Sequence, residues 1–235
     1  MYKDNIMTKY KACIFDLDGT LVNTIADIAF AANYALEELG YPPCEEDSYR
    51  YKVGNGMRLI CQRALPEEVR ENEEVLQEMI RRYDAYYRAH CCDRSRAYPG
   101  IPELIRDLHQ AGVKLAVISN KPHPQTLIVM ETLFGYQESE SRPGAFFYVQ
   151  GQSERFAKKP DPEALLDCIA KTGLPKEEII YVGDSDVDVE FARRAGLDCI
   201  GCSWGFRGRE ELEQAGAAYI AEKAEDIFKY VTDRI

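Results

Sequence analysis

The chain has 235 residues, 46% of them hydrophobic, which is enough to bury one sizeable core and a smaller second unit. Its 29 Lys and Arg residues and 40 Asp and Glu residues give a formal net charge of -11, which repels nucleic acid and anionic membrane surfaces. We therefore expect neither as a partner. An anionic small substrate would need concentrated local positive charge or a metal ion to bind.

The N-terminal residues lack the apolar stretch of a secretory signal, and no apolar run approaches the length of a membrane span. Without an export signal, the eight cysteines are expected to be reduced thiols rather than a disulfide framework. These features predict a cytoplasmic protein, and its size and acidity suit a monomer or a small homo-oligomer.

The first predicted elements are a buried strand and a long helical block. The apolar run 12–15 leads into the polar stretch Asp16 to Thr20, a pattern typical of a strand that runs into a loop. Apolar residues then recur at helical spacing over 25–39. Charged helical sequence follows, with a helix start expected at Pro66. We predict that this purely helical block, residues 22–95, is an inserted cap.

Beyond the helical block, the pattern changes to alternating helices and strands. Strands are predicted at 113–118, 146–149, 179–182 and 197–200, and helices at 101–110, 162–172 and 187–195. Alternation with short connections indicates a parallel sheet covered on both faces. The predicted fold is therefore α/β, with a Rossmann-like doubly wound parallel sheet core in residues 1–21 and 96–235 and an α-helical cap inserted between them.

Acidic residues follow two of the predicted strands. Asp16 and Asp18 lie two positions apart, so extended geometry points both carboxylates toward one site. Mg²⁺ favours oxygen ligands and would relieve their repulsion, although this pair alone is equally compatible with an Asx-rich turn. Asp184 follows another strand and can meet Asp16 at the shared sheet edge. Of the acidic residues after it, Asp186 suits a helix-capping role, and Asp188 suits the metal site.

Other strand ends carry groups that suit a phosphate. Ser119 and Asn120 offer a hydroxyl and amides, and Lys159 offers a positive charge beside a proline that restricts its backbone. Thr20 offers a hydroxyl and an N–H next to Gly19, which permits a tight turn. Each residue alone could be a helix cap or a loop residue. Together with the aspartates, they supply the nucleophile, acid/base, oxyanion donors and counter-charge that in-line phosphoryl transfer requires.

The chain resembles the haloacid dehalogenase superfamily in four motifs that occur in the family's order. They are Asp16-Leu17-Asp18-Gly19-Thr20-Leu21-Val22, Ser119-Asn120, Lys159-Pro160, and Gly183-Asp184-Ser185 through Asp188. It is most similar to the phosphoglycolate phosphatase-like group. Two further segments resemble patterns of that group, namely Val53-Gly54-Asn55-Gly56 and Trp204-Gly205-Phe206. The resemblance implies a magnesium-dependent phosphatase with a helical cap. Its expected substrate is a small phosphorylated metabolite, with phosphoglycolate the leading candidate.

The resemblance also implies roles for individual residues. Asp16 is the expected nucleophile that forms an aspartyl-phosphate, and Asp18 is the general acid for the leaving alcohol and then the base for water. Ser119 would hold a phosphate oxygen, while Lys159 would orient Asp16 and neutralise phosphate charge. One departure is Asn23, where family members more often have Asp. Because this position is expected to cap a helix, we expect little catalytic effect.

The metal site implied by the resemblance is made of aspartates. Mg²⁺ would be bound by Asp16, by the backbone carbonyl of Asp18 and by Asp184. The fourth residue, Asp188, would lie close behind them as a direct ligand or in the outer coordination shell.

The predicted cap contributes weaker signals. In the loop 52–58, Gly54 and Gly56 could allow the backbone to approach the substrate closely, Asn55 is a further candidate contact, and Arg58 could face a second anionic group. The alternative is an ordinary interhelical turn. Lys121 and His123 are further candidates for contacting the leaving group, but surface positions at a helix start explain them equally well.

Three other functions compete with the phosphatase. A phosphomutase of the same superfamily also needs Asp18, and it stays open, although the cap shows no clear residues for a retained bisphosphate. A dehalogenase has no need of an acid at position 18. A non-enzymatic scaffold would be expected to lack one of Asp16, Asp18, Lys159 and Asp184, and all four are present.

Overall fold

The computed structural model describes residues 8–137 and 144–233. Within these residues, the strands are β1 (Ala12–Phe15), β2 (Val22–Asn23), β3 (Arg96–Ala97), β4 (Lys114–Pro122), β5 (Phe146–Gln152), β6 (Ile179–Gly183), β7 (Cys199–Cys202) and β8 (Tyr219–Ala221). The α-helices are α1 (Ile25–Glu38), α2 (Met57–Ala64), α3 (Glu73–His90), α4 (Ile101–Gln110), α5 (His123–Phe134), α6 (Glu163–Thr172), α7 (Asp186–Ala195), α8 (Arg209–Ala215) and α9 (Ala224–Thr232). The predicted core range also contains positions outside the described residues, namely 1–7, 138–143 and 234–235.

Six strands form one sheet in the order β5-β4-β1-β6-β7-β8, and each adjacent pair is parallel. All four residues of β1 are fully buried. Cys13 and Phe15 belong to one hydrophobic core, whereas Ala12 and Ile14 belong to a second core on the other face. Burial on both faces explains the continuous apolar run at β1. The predicted α/β fold with a doubly wound parallel sheet is confirmed.

Strand β1 lies at the centre of the sheet, between β4 and β6. The chain builds β4 and β5 on one side of β1 and then returns to build β6, β7 and β8 on the other. The connections therefore diverge at β1, which opens a crevice at the carboxyl ends of the three central strands. Residues that follow Phe15 and Gly183 are brought together at this edge, since Phe15 pairs with Val117 on one side and with Val182 on the other.

Helices α1, α2 and α3 form a block between β2 and β3. These two short strands pair antiparallel, so the chain enters and leaves the block at adjacent positions. The buried carboxylate of Asp27 joins the start of the block to its end. It accepts the N–H groups of Arg94 and Ser95 at 2.8–3.0 Å and the Ser95 hydroxyl at 2.7 Å. Among the described residues, none of the helices has the length and apolar character needed to span a bilayer.

Several predicted boundaries are wrong for local reasons. The helix expected to start at Pro66 begins at Glu73, because the Asn72 side chain accepts the N–H groups of Glu74 and Val75 and caps the first turn. The last long strand lies at Cys199–Cys202, two residues later than predicted, since the chain first turns through the left-handed Gly196 after α7.

Strand β4 is longer than predicted and continues through Ser119, Asn120 and Lys121 to Pro122. The three polar residues are buried, and Pro122 is half-buried. The register with β5 shifts here, because Ile118 pairs with Gln150 and Pro122 with Gln152. The extension places the side chains of Ser119 and Lys121 at the edge where β1 ends.

Candidate active site

A cleft lies at the carboxyl ends of β1, β4 and β6, beneath the helical block. It contains about 640 Å³ of empty space, part of it open to solvent. The core side of the cleft is polar and includes Asp16, Ser119, Lys159 and Asp184, whereas the helical block contributes the mainly apolar residues Val53, Met57, Ile60 and Tyr83. The polar groups therefore come from the core, and the apolar covering comes from the helical block.

Three buried carboxylates meet at the base of the cleft. One oxygen each of Asp16, Asp184 and Asp188 lies within 4.8 Å of the others. Burial raises the pKa of Asp16 to about 7, opposed by Lys159 and reinforced by Asp188. Burial, and then the charges of Asp188 and Asp16, raise the pKa of Asp184 well above its usual range. Because full ionisation is unfavourable here without added positive charge, and carboxylate oxygens are preferred by Mg²⁺, the cluster fits a magnesium ion.

Asp184 is held by neighbouring backbone and by Thr20. Its Oδ2 accepts the Phe206 N–H at 2.7 Å, and its Oδ1 accepts the Thr20 hydroxyl at 3.3 Å. A Cβ atom at Gly19 would lie 2.3 Å from Asp184 Oδ2, and one at Gly205 would lie 2.2 Å from Asp184 Cβ. Only glycine therefore leaves room for this carboxylate. The structure aims the Thr20 hydroxyl at Asp184 rather than at the open cleft.

Asp188 is enclosed by hydrogen-bond donors. Its Oδ2 accepts the N–H groups of Asp184 and Ser185 at 3.2 Å and the Ser185 hydroxyl at 2.7 Å. Its Oδ1 accepts from Lys159 Nζ at 2.7 Å and from the Tyr181 hydroxyl at 3.3 Å. This arrangement suits a carboxylate that fixes the backbone at Asp184 and Ser185 and the side chain of Lys159. Asp186, by contrast, is exposed in the first turn of α7, where negative charge is favourable.

Lys159 places its ammonium group between two members of the cluster. Its side chain is 4% exposed, and Nζ lies 2.8 Å from Asp16 Oδ1 and 2.7 Å from Asp188 Oδ1. The Tyr181 hydroxyl lies 3.2 Å from the same Nζ atom. Burial disfavours the ammonium form, but the two carboxylates outweigh burial and raise the pKa of Lys159. Asp16 therefore faces a lysine that stays charged at neutral pH.

Asp18 lies outside the buried cluster and has different partners. Its carboxylate, 19% exposed, accepts from Lys121 Nζ at 3.1 and 3.4 Å. Lys121 is buried and also contacts the hydroxyl of Tyr87 on α3. The surface alternative for Lys121 is therefore wrong, because β4 carries this residue into the cleft. His123 begins α5, where its Nδ1 accepts the Gly151 N–H at 3.0 Å.

Besides Thr20, two residues of β4 were predicted to bind phosphate, and they differ in how their side chains are used. Ser119 lines the cleft, and its hydroxyl accepts the Lys121 N–H at 3.3 Å. The Asn120 side chain bonds to backbone groups, namely the carbonyls of Gly54 and Lys159 and the N–H of Lys159. The Asn120 amide is therefore already satisfied by protein.

The cap residues predicted to approach the substrate also separate into two groups. Gly54 and Gly56 line the cleft, and both have positive φ angles, +100° and +88°. Asn55 lies between them and is half-buried. Arg58 is exposed and forms a two-point ion pair with Glu73, at 2.7 and 3.0 Å. The structure therefore does not bring Arg58 to the cleft.

The sequence model of the family of haloacid dehalogenase-like hydrolases matches residues 13–202 of this chain. The chain belongs to this family. The match includes β1 from Cys13 onward, the helical block, the three residues of the carboxylate cluster and Lys159. The family that the motifs resemble is thereby confirmed.

Two similar proteins of this hydrolase family are named phosphoglycolate phosphatases. A phosphoglycolate phosphatase of Pseudomonas putida is 34% identical over 214 residues, covering 89% of this chain and 75% of its own length. One from Vibrio parahaemolyticus is 31% identical over 225 residues, covering 94% and 96%. These similarities confirm the predicted enzyme class, a phosphatase, and the predicted likeness to phosphoglycolate phosphatases.

Solved structures agree with the fold. A protein of Lactobacillus delbrueckii subsp. bulgaricus, provisionally named a phosphoglycolate phosphatase, superposes with a TM-score of 0.86 at 31% identity, covering 95% of this chain and 98% of the other. A protein of Haemophilus somnus with a similar provisional name gives a TM-score of 0.85 at 30% identity and the same coverage.

Two cleft residues of this hydrolase were missed or undervalued by the sequence reasoning. Arg207 follows the Trp204-Gly205-Phe206 motif, lines the cleft and donates from Nη2 to the Val53 carbonyl at 3.2 Å. Tyr87 on α3 reaches Lys121 from the helical block. The position of Arg207 directly after a recognisable motif was the available signal. For Tyr87, the sequence offered only an apolar position on a helix.

Proposed function

We propose that this hydrolase is a magnesium-dependent phosphatase that transfers the phosphoryl group of a small metabolite to Asp16 and then to water. The observation that supports this most is the position of Asp16. Its Oδ1 lies 2.8 Å from the Lys159 ammonium, and one of its oxygens belongs to the carboxylate cluster at the base of an open cleft. A carboxylate held by a fixed cation at the end of a cleft suits attack on phosphorus.

The surrounding residues have complementary roles in this proposal. Lys159 orients Asp16 and offsets the negative charge of the phosphoryl group. Asp18 is outside the buried cluster and partly exposed, so it can give a proton to the leaving oxygen and later take one from water. Ser119 offers a hydroxyl to a phosphate oxygen from β4.

The metal would be held by Asp16, Asp184 and the backbone carbonyl of Asp18, with Asp188 behind them. When bound, magnesium supplies positive charge that stabilises the phosphate oxygens during transfer. The uncatalysed hydrolysis of a phosphate monoester is so slow that the site must lower the barrier by on the order of 20 kcal/mol. Covalent catalysis by Asp16, together with a fixed lysine, is a reasonable way for this chain to contribute to that reduction.

We also propose that residues 22–95 act as a cap on a core formed by 1–21 and 96–235. Val53, Met57 and Ile60 would exclude bulk water from the cleft during transfer. The antiparallel pairing of β2 with β3 gives this cap two adjacent connections to the core. Opening and closing at these connections would admit the substrate and then the water for the second step.

Phosphoglycolate is the proposed substrate, because the relatives above carry its name. The cleft also contains Lys121 and Arg207 in addition to Lys159, and these cations suit a substrate with a second anionic group. A small phosphorylated metabolite is thus the proposed partner. Cytoplasmic location, a monomer or small homo-oligomer, and the exclusion of nucleic acid and membranes stay predictions from the sequence.

The test is inorganic phosphate release from a panel of phosphoglycolate, pyrophosphate, nucleoside monophosphates and sugar phosphates, each with Mg²⁺ and with a chelator. We expect release that depends on Mg²⁺, with phosphoglycolate giving the highest kcat/KM. Folded, metal-supplied protein that releases phosphate from none of these compounds would contradict the proposal. Interconversion of sugar phosphate isomers without phosphate release would favour the phosphomutase instead.

A further inference from the structure

Two side chains of the core donate to consecutive carbonyls of the cap loop, residues 52–58. Asn120 Nδ2 lies 3.0 Å from the Gly54 oxygen, and Arg207 Nη2 lies 3.2 Å from the Val53 oxygen. Both donors are at the carboxyl edge of the sheet, Asn120 on β4 and Arg207 after β7. The loop is therefore attached to the core by hydrogen bonds to its backbone, whatever its side chains are.

The shape of the loop favours this close approach. Gly54 and Gly56 both adopt positive φ angles, which residues with a Cβ atom rarely adopt. A Cβ atom at Gly56 would lie 3.1 Å from Lys158 Nζ and 3.2 Å from Gln152 Oε1, so the backbone lies directly against the core at this point. The loop is thus built to lie flat on the edge of the cleft.

The amide of Asn120 also fixes the backbone of Lys159. Its Oδ1 accepts the Lys159 N–H at 2.8 Å, and its Nδ2 donates to the Lys159 carbonyl at 3.1 Å. The side-chain nitrogen has two hydrogens, and it has two acceptors, Gly54 on the cap and Lys159 on the core. Asn120 is 6% exposed, so neither hydrogen has bulk water as a ready substitute.

We propose that Asn120 is a positioning residue that couples docking of the cap loop to the placement of Lys159, an inference that rests on the proposed role of Lys159 beside Asp16. When the loop leaves, one buried N–H of Asn120 loses its acceptor, and an unsatisfied buried donor is unfavourable. The amide then turns toward water, and its second hydrogen and its oxygen no longer hold Lys159. The Lys159 ammonium is therefore in its best position beside Asp16 only while the cap is closed.

This coupling has a consequence for the reaction. Phosphoryl transfer requires Lys159 to orient Asp16 and to offset the charge of the phosphoryl group, so transfer is favoured in the closed cleft and disfavoured in the open one. Water then has less access to the phosphoryl group during the first step. The hydrogen bond from Arg207 alone would hold the cap loop on the core, but it would not link the position of the loop to the placement of Lys159.

Asn120→Asp is the first test, because it keeps the size of the side chain and the acceptor for the Lys159 N–H but removes the Nδ2 donor. Hydrogen–deuterium exchange of the peptides that contain residues 52–58 is measured without substrate. We expect exchange to be several-fold faster in Asn120→Asp and in Arg207→Met than in the wild type. The matched control is Asn72→Asp, which adds the same charge at a helix cap that aspartate also satisfies. Unchanged exchange of the loop in Asn120→Asp would overturn the inference.

Steady-state kinetics distinguish loss of loop docking from loss of the link between the loop and Lys159. Asn120→Asp should lower kcat at least about tenfold, since small displacements of a catalytic group reduce rates strongly. Arg207→Met leaves the Lys159 backbone bonds intact, so it should act mainly on KM. Equal losses of kcat in the two variants would contradict a role through Lys159. Should Asn120→Asp not fold, Asn120→Ser carries the same comparison. The exchange experiment needs no turnover and therefore stands even if the proposed phosphatase activity fails.

Discussion

Replacing Asp16 by asparagine should lower kcat/KM for phosphate release at least about 10⁴-fold, because an amide can neither attack phosphorus nor provide a charged ligand for Mg²⁺. Asparagine has nearly the same shape as aspartate, so the fold should persist. Phosphate release is measured with Mg²⁺ for the wild type and Asp16→Asn at equal concentrations. Asp198→Asn is the control, since Asp198 is exposed and lies before β7, away from the cleft.

The same substitution should raise the stability of the metal-free protein at alkaline pH. The pKa of Asp16 is raised to about 7, so the folded state binds its proton more tightly than the unfolded state does. The wild type should therefore lose stability as the pH rises from about 4 through 7, and Asp16→Asn should not lose this part. Thermal denaturation in chelator should show a higher Tm for Asp16→Asn at pH 8 and a smaller difference at pH 5. A lower Tm for the variant at pH 8 would contradict the repulsion inferred within the cluster.

Lys159→Met should remove activity and destabilise the fold together. The lysine forms ion pairs with both Asp16 and Asp188, and its removal leaves two buried carboxylates without their cation. Breaking a buried pair in this way costs about 3–5 kcal/mol, which should lower the Tm of the metal-free protein by roughly 10 °C. Activity should fall by about 10³-fold or more, because both the orientation of Asp16 and the counter-charge are lost.

A second variant distinguishes this electrostatic cause from simple loss of packing. Lys159→Met combined with Asp188→Asn should regain much of the stability, since one uncompensated charge is removed, but none of the activity. Lys158→Met provides the matched control because Lys158 is the exposed neighbour of Lys159. If the double variant were no more stable than Lys159→Met alone, uncompensated charge could not be the cause of the destabilisation.

The strand ends were predictable because their signal is local. A buried parallel strand reads as an apolar run, and the first polar residue after it marks the sheet edge. This pattern placed Asp16 and Asp184 after neighbouring strands, and the structure brings both into one cluster. Lys159 is separated from the end of β5 at Gln152 by a loop, so no apolar run leads directly into it. Its expected position depended on the proline beside it and on the family resemblance.

The contacts between the cap and the core could not be predicted in the same way. Arg207 and Val53 are far apart in sequence, and the bond joins a side chain to a backbone carbonyl, which leaves no pattern in either segment. Arg58 has a charge that suits an anionic substrate, but the nearest carboxylate in the folded chain belongs to Glu73. Long-range geometry therefore decided which cations face the cleft.

The short strands and the end of β4 show a related limit. The two-residue strands β2 and β3 exist because they pair with each other, not because of their composition. Ser119, Asn120 and Lys121 are polar and precede a proline, which favours a loop from sequence alone. In the structure they extend β4 because Ile118 and Pro122 have partners on the adjacent strand β5.

The central claim is that the phosphoryl group is carried by Asp16, and the most direct test is mass spectrometry of enzyme quenched in acid during turnover. With Mg²⁺ and a substrate from the panel, we expect one phosphoryl group on the peptide that contains Asp16, absent when the metal is chelated. Release of phosphate at the normal rate without any phosphorylated peptide, or with the phosphoryl group on another residue, would contradict the account.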